Sequence, residues 1–264
     1  MKIQALLFDL DDTLVVEEKS AHDSFLAVSS YVKNHYAYID ENDFIKTIRK
    51  TAKELWYSLP TIDYCKRIGI SSWEGLWAEF TEMDQDQKKL KELKEYYQFN
   101  AWNNALKETG IINESLANEI AGLFKFERNR RHVLFPDTLP FLNRIKGNYR
   151  LALITNGSPD LQRIKTDRSG LRDYFDFIAV SGEIGFAKPH KNIFEIALRE
   201  LHVSHKDALM IGDNPHTDIK GANERGIVSV WINRNDKIPD DENKPCYEIK
   251  SFNGMYSIID EPLS

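Results

Sequence analysis

Short runs of consecutive apolar residues alternate along this chain with longer stretches whose apolar positions recur every three to four residues. The runs end near Phe8, Ile154, Val180, Ile211 and Ile232. Four apolar residues in a row, as in Ala5-Leu6-Leu7-Phe8, read as a strand buried on both faces. From the second run onward, helix-period segments separate the strands. That order predicts a parallel sheet with right-handed crossovers. Asp137 to Ile145 reads as a helix with Asp137 as N-cap. Asn192 to Leu201 reads as another, with Ile193, Phe194, Ala197, Leu198 and Leu201 on one face. Pro189 is expected in the first turn of that helix, and Pro215 in the first turn of a helix through Ile219 and Ala222 that stops at Gly226. Tyr247-Glu248-Ile249 is expected to return as an edge strand.

From about Glu17 to Val133 the pattern is different. Phe25, Val28, Val32 and Tyr36 keep a helical spacing. So do Phe44, Ile48, Ala52, Leu55 and Trp56, then Leu90, Leu93 and Tyr97, then Trp102 and Leu106, then Leu116, Ile120 and Leu123. This predicts an all-helical insert, residues 17–133, between the first strand and a core formed by residues 1–16 and 134–264. Trp56, Tyr57, Trp73, Trp77 and Trp102 are expected to pack as helix core. Arg128, Arg130, Arg131 and His132, where the insert ends, are expected to form a solvated, charge-balanced surface.

Three carboxylates directly follow the first strand: Asp9, Asp11 and Asp12, with Thr13 behind them. Like charges so close raise one another's pKa, and a divalent cation is the commonest way to keep them ionised at neutral pH. Open α/β sheets bind ligands at the carboxyl ends of their strands. The other strand ends carry reactive groups as well. Leu151-Ala152-Leu153-Ile154 closes on Thr155-Asn156-Gly157, whose hydroxyl and backbone amides suit phosphate oxygens. Lys188-Pro189 precedes a helix. Ala208-Leu209-Met210-Ile211 closes on Gly212-Asp213-Asn214, with Asp218 beyond. Gly212 is expected to let the backbone turn sharply, and Asn214 or Asp213 to cap the next helix.

Composition narrows the classes. The 264 residues are 42% hydrophobic and 29% charged, which suits a globular chain of one large or two modest domains. A formal net charge of -6 argues against binding a nucleic-acid polymer. Cys65 and Cys246 form neither a metal-type spacing nor a disulfide framework. No apolar run approaches a membrane span, and the first strand starts within a few residues of Met1. A cytoplasmic protein without membrane association is expected.

Taken in order, Asp-x-Asp-x-Thr at Asp9–Thr13, a Thr at a strand end (Thr155), Lys188-Pro189, and Gly-Asp-x-x-x-x-Asp at Gly212–Asp218 resemble the haloacid dehalogenase-like superfamily. The resemblance covers Lys2 to Val16 and about Phe135 to Asn233. It implies an α/β fold: a Rossmann-like, doubly wound parallel sheet with an all-helical cap that acts as a lid. It also implies Asp9 as nucleophile, Asp11 as general acid/base, and Mg2+ held by the Asp9 side chain, the Asp11 backbone carbonyl and the Asp213 side chain. Thr155, Asn156 and Lys188 would bind the phosphate. Asp218 would orient Lys188 or a metal-bound water, Thr13 would steady the loop carrying Asp11, and Asp12 would hydrogen-bond backbone. The family's dehalogenases typically lack an aspartate at the position of Asp11, so its presence here favours phosphoryl transfer. The implied activity is hydrolysis of a small phosphorylated metabolite through an aspartyl phosphate. The motifs look closest to those of nucleotide and N-acylneuraminate-9-phosphate phosphatases. A phosphotransferase or mutase using the same intermediate, or a non-catalytic ligand-binding protein, are the alternatives. Neither substrate nor oligomeric state is legible in these residues.

Overall fold

The computed structural model of the protein describes residues 3–80, 84–238 and 242–260. The chain divides into two compact units. The first comprises Met1–Val16, Val133–Asn156 and Thr166–Ser264, and the second Glu17–His132 and Gly157–Lys165.

The first unit is a six-stranded, all-parallel sheet. Its strands are β1 (Ala5–Phe8), β2 (Arg150–Thr155), β3 (Phe177–Val180), β4 (Ala208–Gly212), β5 (Val228–Ile232) and β6 (Tyr247–Ile249), in the order β3-β2-β1-β4-β5-β6. Alternate residues of each strand point to opposite faces; both faces are buried at the centre of the sheet, so β1 and β4 are apolar throughout, whereas β6 exposes Tyr247 and Glu248. Leu6, Phe8, Leu153, Ile211 and Val230 face one way, toward helix Thr138–Ile145 and Phe252. Ala5, Leu7, Ile154 and Met210 face the other way, toward helix Lys191–Leu201. The chain winds outward from β1 in both directions. The carboxyl ends of β1 and β4 therefore flank the switch point at which such sheets bind ligands.

One expected helix start and one expected capping bond differ. The helix after Lys188 begins at Lys191 with His190 as its cap, so Pro189 lies ahead of the first turn, joined to Lys188 by a cis peptide. Asp137 occupies the N-cap position of helix Thr138–Ile145, but its side chain makes no capping bond. It accepts instead from the Phe252 amide at 2.8 Å and pairs with Arg234, whose guanidinium offers a stronger, charge-assisted partner than a helix amide. Pro215 does open a helical turn, a π-type turn over Pro215–Ile219 that runs into Lys220–Asn223.

The second unit is helical, with long helices Glu17–His35, Glu41–Ser58, Gln85–Glu108 and Glu114–Asn129. Asp40, Asp84 and Asn113 each accept a backbone N–H at a helix start, and Ser71 with Glu74 forms a capping box. Trp56, Trp77, Trp102, Phe25 and Phe124 are buried in its core, whereas Tyr57 is exposed. Arg128 departs from the surface reading. It is 1% exposed, pairs with Glu17, donates to Ser20 Oγ at 3.0 Å and lies over the Trp77 ring. Lys165, wholly buried, reaches Glu17 at 3.2 Å and Glu74 at 3.5 Å. Gln162 Nε2 donates to Glu74 Oε1 at 3.0 Å. Two cations thus balance two carboxylates in the interior. Burial pushes the Glu17 carboxyl up, but Lys165 and Arg128 outweigh it and hold the group below its ordinary range. Arg130 and Arg131 pair with Glu127. Among the described residues no helix is long and apolar enough to cross a membrane.

Candidate active site

β1 hands Asp9 directly to the switch point. The Asp9 amide donates to the Ile211 carbonyl at 2.9 Å, which extends the β1–β4 ladder by one bond. The chain then turns sharply. Leu14 and Val15 donate to the Leu10 carbonyl, and Asp12 donates to the Val15 carbonyl at 2.8 Å. Asp12 itself takes a left-handed conformation (φ 57°), which Asp tolerates better than most residues. Asp11 is half-buried and bridges to Val15. The Thr13 hydroxyl donates to Asp9 Oδ2 at 3.1 Å, so it steadies Asp9 itself. The Thr13 carbonyl is held by Arg234 Nη2 at 3.2 Å.

Lys188 brings the opposite charge. Its Nζ donates to Asp9 Oδ1 at 2.5 Å and pairs with Asp218 Oδ1 at 2.8 Å, with all three side chains buried. The lysine is fixed from behind by Asn156, the residue after β2. Asn156 Oδ1 accepts the Lys188 N–H at 2.8 Å, and Asn156 Nδ2 donates to the Lys188 carbonyl at 3.1 Å. The Asn156 side chain is therefore committed to the lysine's backbone. Thr155 ends β2, buried and in register with Val180.

β4 delivers the third carboxylate. The Asp213 carbonyl accepts from Trp231 Nε1 at 2.8 Å. Asn214 Oδ1 caps the following turn by accepting from the His216 amide at 2.9 Å, and the Asn214 amide donates to Asp218 Oδ2 at 3.1 Å. Gly212 is required by close approach and not by an unusual turn. It lacks a positive φ, but a Cβ there would meet Asp218 Oδ2 at 2.2 Å.

Ligand atoms of Asp9, Asp213 and Asp218 lie within 4.8 Å of one another. The Asp11 side chain is outside this group; the family resemblance implies a metal contact from its backbone carbonyl instead. Burial is the main cause that pushes Asp9 up to about 6; Lys188 opposes it and Asp218 adds to it. Burial also pushes Asp213 up to about 7, reinforced by Asp9 and Asp218 and opposed by Lys237. Burial alone would lower Lys188, but Asp218 and Asp9 outweigh it and keep the ammonium firmly protonated. Crowded, desolvated carboxylates with hard oxygen donors are the set a cation such as Mg2+ takes. The donor chemistry here fits one.

Two cations escaped the sequence reading, Arg234 on the Thr13 carbonyl and Lys237, whose Nζ lies 3.1 Å from Asp213 Oδ2. Both stand just past the end of β5. Their only signal in the chain is that position, since ligands gather at strand ends.

A family model for haloacid dehalogenase-like hydrolases matches residues 3–226. The chain is 33% identical to the phosphoserine phosphatase of Thermus thermophilus over 256 residues, 96% of this chain and 98% of that protein. It is 29% identical to the human N-acylneuraminate-9-phosphatase over 90% of this chain and 86% of that one. The pyrimidine 5'-nucleotidase YjjG of Escherichia coli is 32% identical over 61% of this chain and 69% of its own. Among solved structures, the magnesium-bound HAD-hydrolase YfnB of Bacillus subtilis superimposes with a TM-score of 0.68 at 22% identity, covering 99% of this chain and 100% of that one. The doubly wound sheet, the motifs at its carboxyl edge and this full-length similarity make the chain a member of the haloacid dehalogenase-like hydrolase family.

Proposed function

We propose that the protein is a Mg2+-dependent phosphatase that hydrolyses a small-molecule phosphate monoester through an aspartyl phosphate on Asp9. The observation that carries this reading is the buried triad in which Lys188 bridges Asp9 and Asp218 beside Asp213. The phosphatase relatives support the same class of reaction.

A phosphate monoester is a dianion and repels a carboxylate, so charge neutralisation comes first. In this reading the ammonium of Lys188 and the hydroxyl of Thr155 receive the phosphoryl oxygens, and Lys188 stays protonated throughout. An Asp9 oxygen attacks phosphorus as the P–O bond to the leaving group breaks, and Asp11 gives its proton to the departing alkoxide. Asp11 then takes a proton from water, which attacks phosphorus, releases inorganic phosphate and restores Asp9. A divalent cation held by Asp9, Asp213 and the Asp11 carbonyl would supply positive charge to the phosphate and keep Asp9 ionised at neutral pH.

Residues 17–133, in this proposal, form the substrate-selecting cap and residues 1–16 and 134–264 the catalytic core, although Val133 groups with the sheet unit and residues 157–165 with the helical one. The chain leaves and re-enters the first unit at adjacent points, since the Val16 amide donates to the Val133 carbonyl at 2.8 Å. A cap so tethered, just beyond Asp9, suits a lid that excludes water and chooses the substrate. A cytoplasmic setting suits the proposed metabolite substrates.

The test is phosphate release from phosphoserine, pyrimidine and purine nucleoside monophosphates, N-acylneuraminate 9-phosphate, sugar phosphates and an aryl phosphate, each with Mg2+ and with EDTA. Metal-dependent release is expected, and the best substrate identifies what the cap selects. Release that is indifferent to EDTA, or transfer only to an added acceptor, would overturn the reading.

A further inference from the structure

The loop after β5 supplies a group that this mechanism does not use. Asn233, 2% exposed, follows β5 directly and donates its amide to the Ile249 carbonyl of β6 at 2.8 Å. Its Oδ1 accepts the Lys237 N–H at 2.8 Å, and its Nδ2 donates to the Lys237 carbonyl at 2.9 Å and to Glu248 Oε1 at 2.7 Å. The backbone of Lys237 is thus clamped at both polar groups, and its Nζ lies 3.1 Å from Asp213 Oδ2.

The arrangement repeats the one at Lys188. In both cases an asparagine directly after a core strand grips the N–H and C=O of a lysine, and that lysine meets an acidic group of the site. The two differ in freedom. The Lys188 side chain is 2% exposed and packed between two carboxylates, whereas that of Lys237 is 52% exposed with Asp213 as its acidic partner. Lys188 is a fixture. Lys237 is anchored by its backbone yet able to swing its ammonium into water.

We propose that Lys237, anchored by Asn233, is a resident counter-ion of Asp213 that competes with the divalent cation and sets the metal affinity of the site. The inference rests on the metal reading of Asp9 and Asp213. Lys188 alone leaves three clustered carboxylates with two charges uncompensated, and Lys237 removes one of them. A cation that ligates Asp213 Oδ2 displaces the ammonium, and one on Oδ1 still meets its repulsion, so part of its binding energy goes into weakening that pair. The ammonium is half-exposed and the pair is reached by solvent, which keeps that cost within the range of surface ion pairs.

The experiment is a calorimetric titration of Mg2+ into the full-length, EDTA-stripped protein at low and high ionic strength, at about pH 9, where Asp213 is ionised with or without Lys237 and a lysine is still charged. The variants are Lys237→Gln, Lys237→Arg and Lys206→Gln, the last an exposed lysine ahead of β4 that controls for net charge. Lys237→Gln is expected to bind Mg2+ about two- to fivefold more tightly than wild type, the range of a surface pair worth up to about 1 kcal/mol. Lys237→Arg and Lys206→Gln should stay near wild type, and the gain should shrink at high salt. If wild type takes up Mg2+ and Lys237→Gln binds it equally or more weakly, the counter-ion role fails while the metal site stands. If no form takes up Mg2+, the metal reading itself fails and this inference with it.

Discussion

Replacing Lys165 by Met tests whether the buried charge network of the helical unit acts as one balanced object. Lys165 is wholly buried and faces Glu17 at 3.2 Å and Glu74 at 3.5 Å. At an effective dielectric of about 20, each attraction is worth about 5 kcal/mol. Burying the ammonium cancels several kcal/mol of that sum. Met fills a similar volume but removes the cation that both carboxylates face, and stranding a buried charge costs about 3–5 kcal/mol. At roughly 2–4 °C per kcal/mol, a loss of about 4 kcal/mol lowers the melting temperature by about 8–16 °C. Adding Glu74→Gln to Lys165→Met restores neutrality, because Glu17 keeps Arg128, and should recover a large part of the loss. The assay is thermal and urea unfolding of wild type, both single variants and the double variant. A Lys165→Met melting temperature within about 1 °C of wild type, or a double variant showing the simple sum of the single losses, would show that the four charges do not balance one another.

Asp9→Asn should reduce phosphate release by about four orders of magnitude or more while folding is kept, since an amide of the same shape is easier to bury than a carboxylate. Turnover measured beside a melting curve checks this, and retained Mg2+-dependent turnover would remove Asp9 as nucleophile. Asn156→Ala leaves the N–H and C=O of Lys188 without their partner; it should cost about 1–3 kcal/mol of stability and lower kcat about tenfold or more as Lys188 drifts. Unchanged kcat in a destabilised variant would show that the clamp does not serve catalysis. For pH, Asp9 and Asp213 titrate at about 6 and about 7 in the folded chain against an ordinary 3.8, so the folded state holds the extra protons. The stability of the metal-free protein should therefore fall as pH rises from 3.8 through about 7. Mg2+ affinity should rise over the same window, because the cation needs the ionised forms. Melts in EDTA compared with those of Asp213→Asn isolate the effect, and a difference that grows in favour of wild type with rising pH would contradict it.

The sheet and its reactive edge were legible in the chain because both depend on local pattern. Strands buried on two faces must be apolar throughout, so β1, β2 and β4 stand out as runs. A parallel sheet gathers its carboxyl ends, so Asp9, Thr155 and Asp213, each at or just after the last residue of such a run, had to converge. The family motifs added the roles. The same local logic misjudged residues whose side chains serve a distant partner. Asp137 stands where a cap belongs, but Arg234 and the Phe252 amide claim it. Gly212 seemed needed for a turn, and the true constraint is Asp218 against its Cα.

Which polar groups share an enclosed space is fixed by the fold. Glu17, Glu74, Arg128 and Lys165 are scattered through the sequence, and each alone has the appearance of a surface residue; burial together turns them into a neutral interior cluster. The motif marks Asn156 for phosphate and nothing marks Asn233, yet each holds both peptide groups of a lysine, one distant in the chain and one across a loop. The period of apolar residues reports one variable, whether a position is buried. Pairing among buried polar groups is set by three-dimensional proximity, and a one-dimensional pattern carries no record of it.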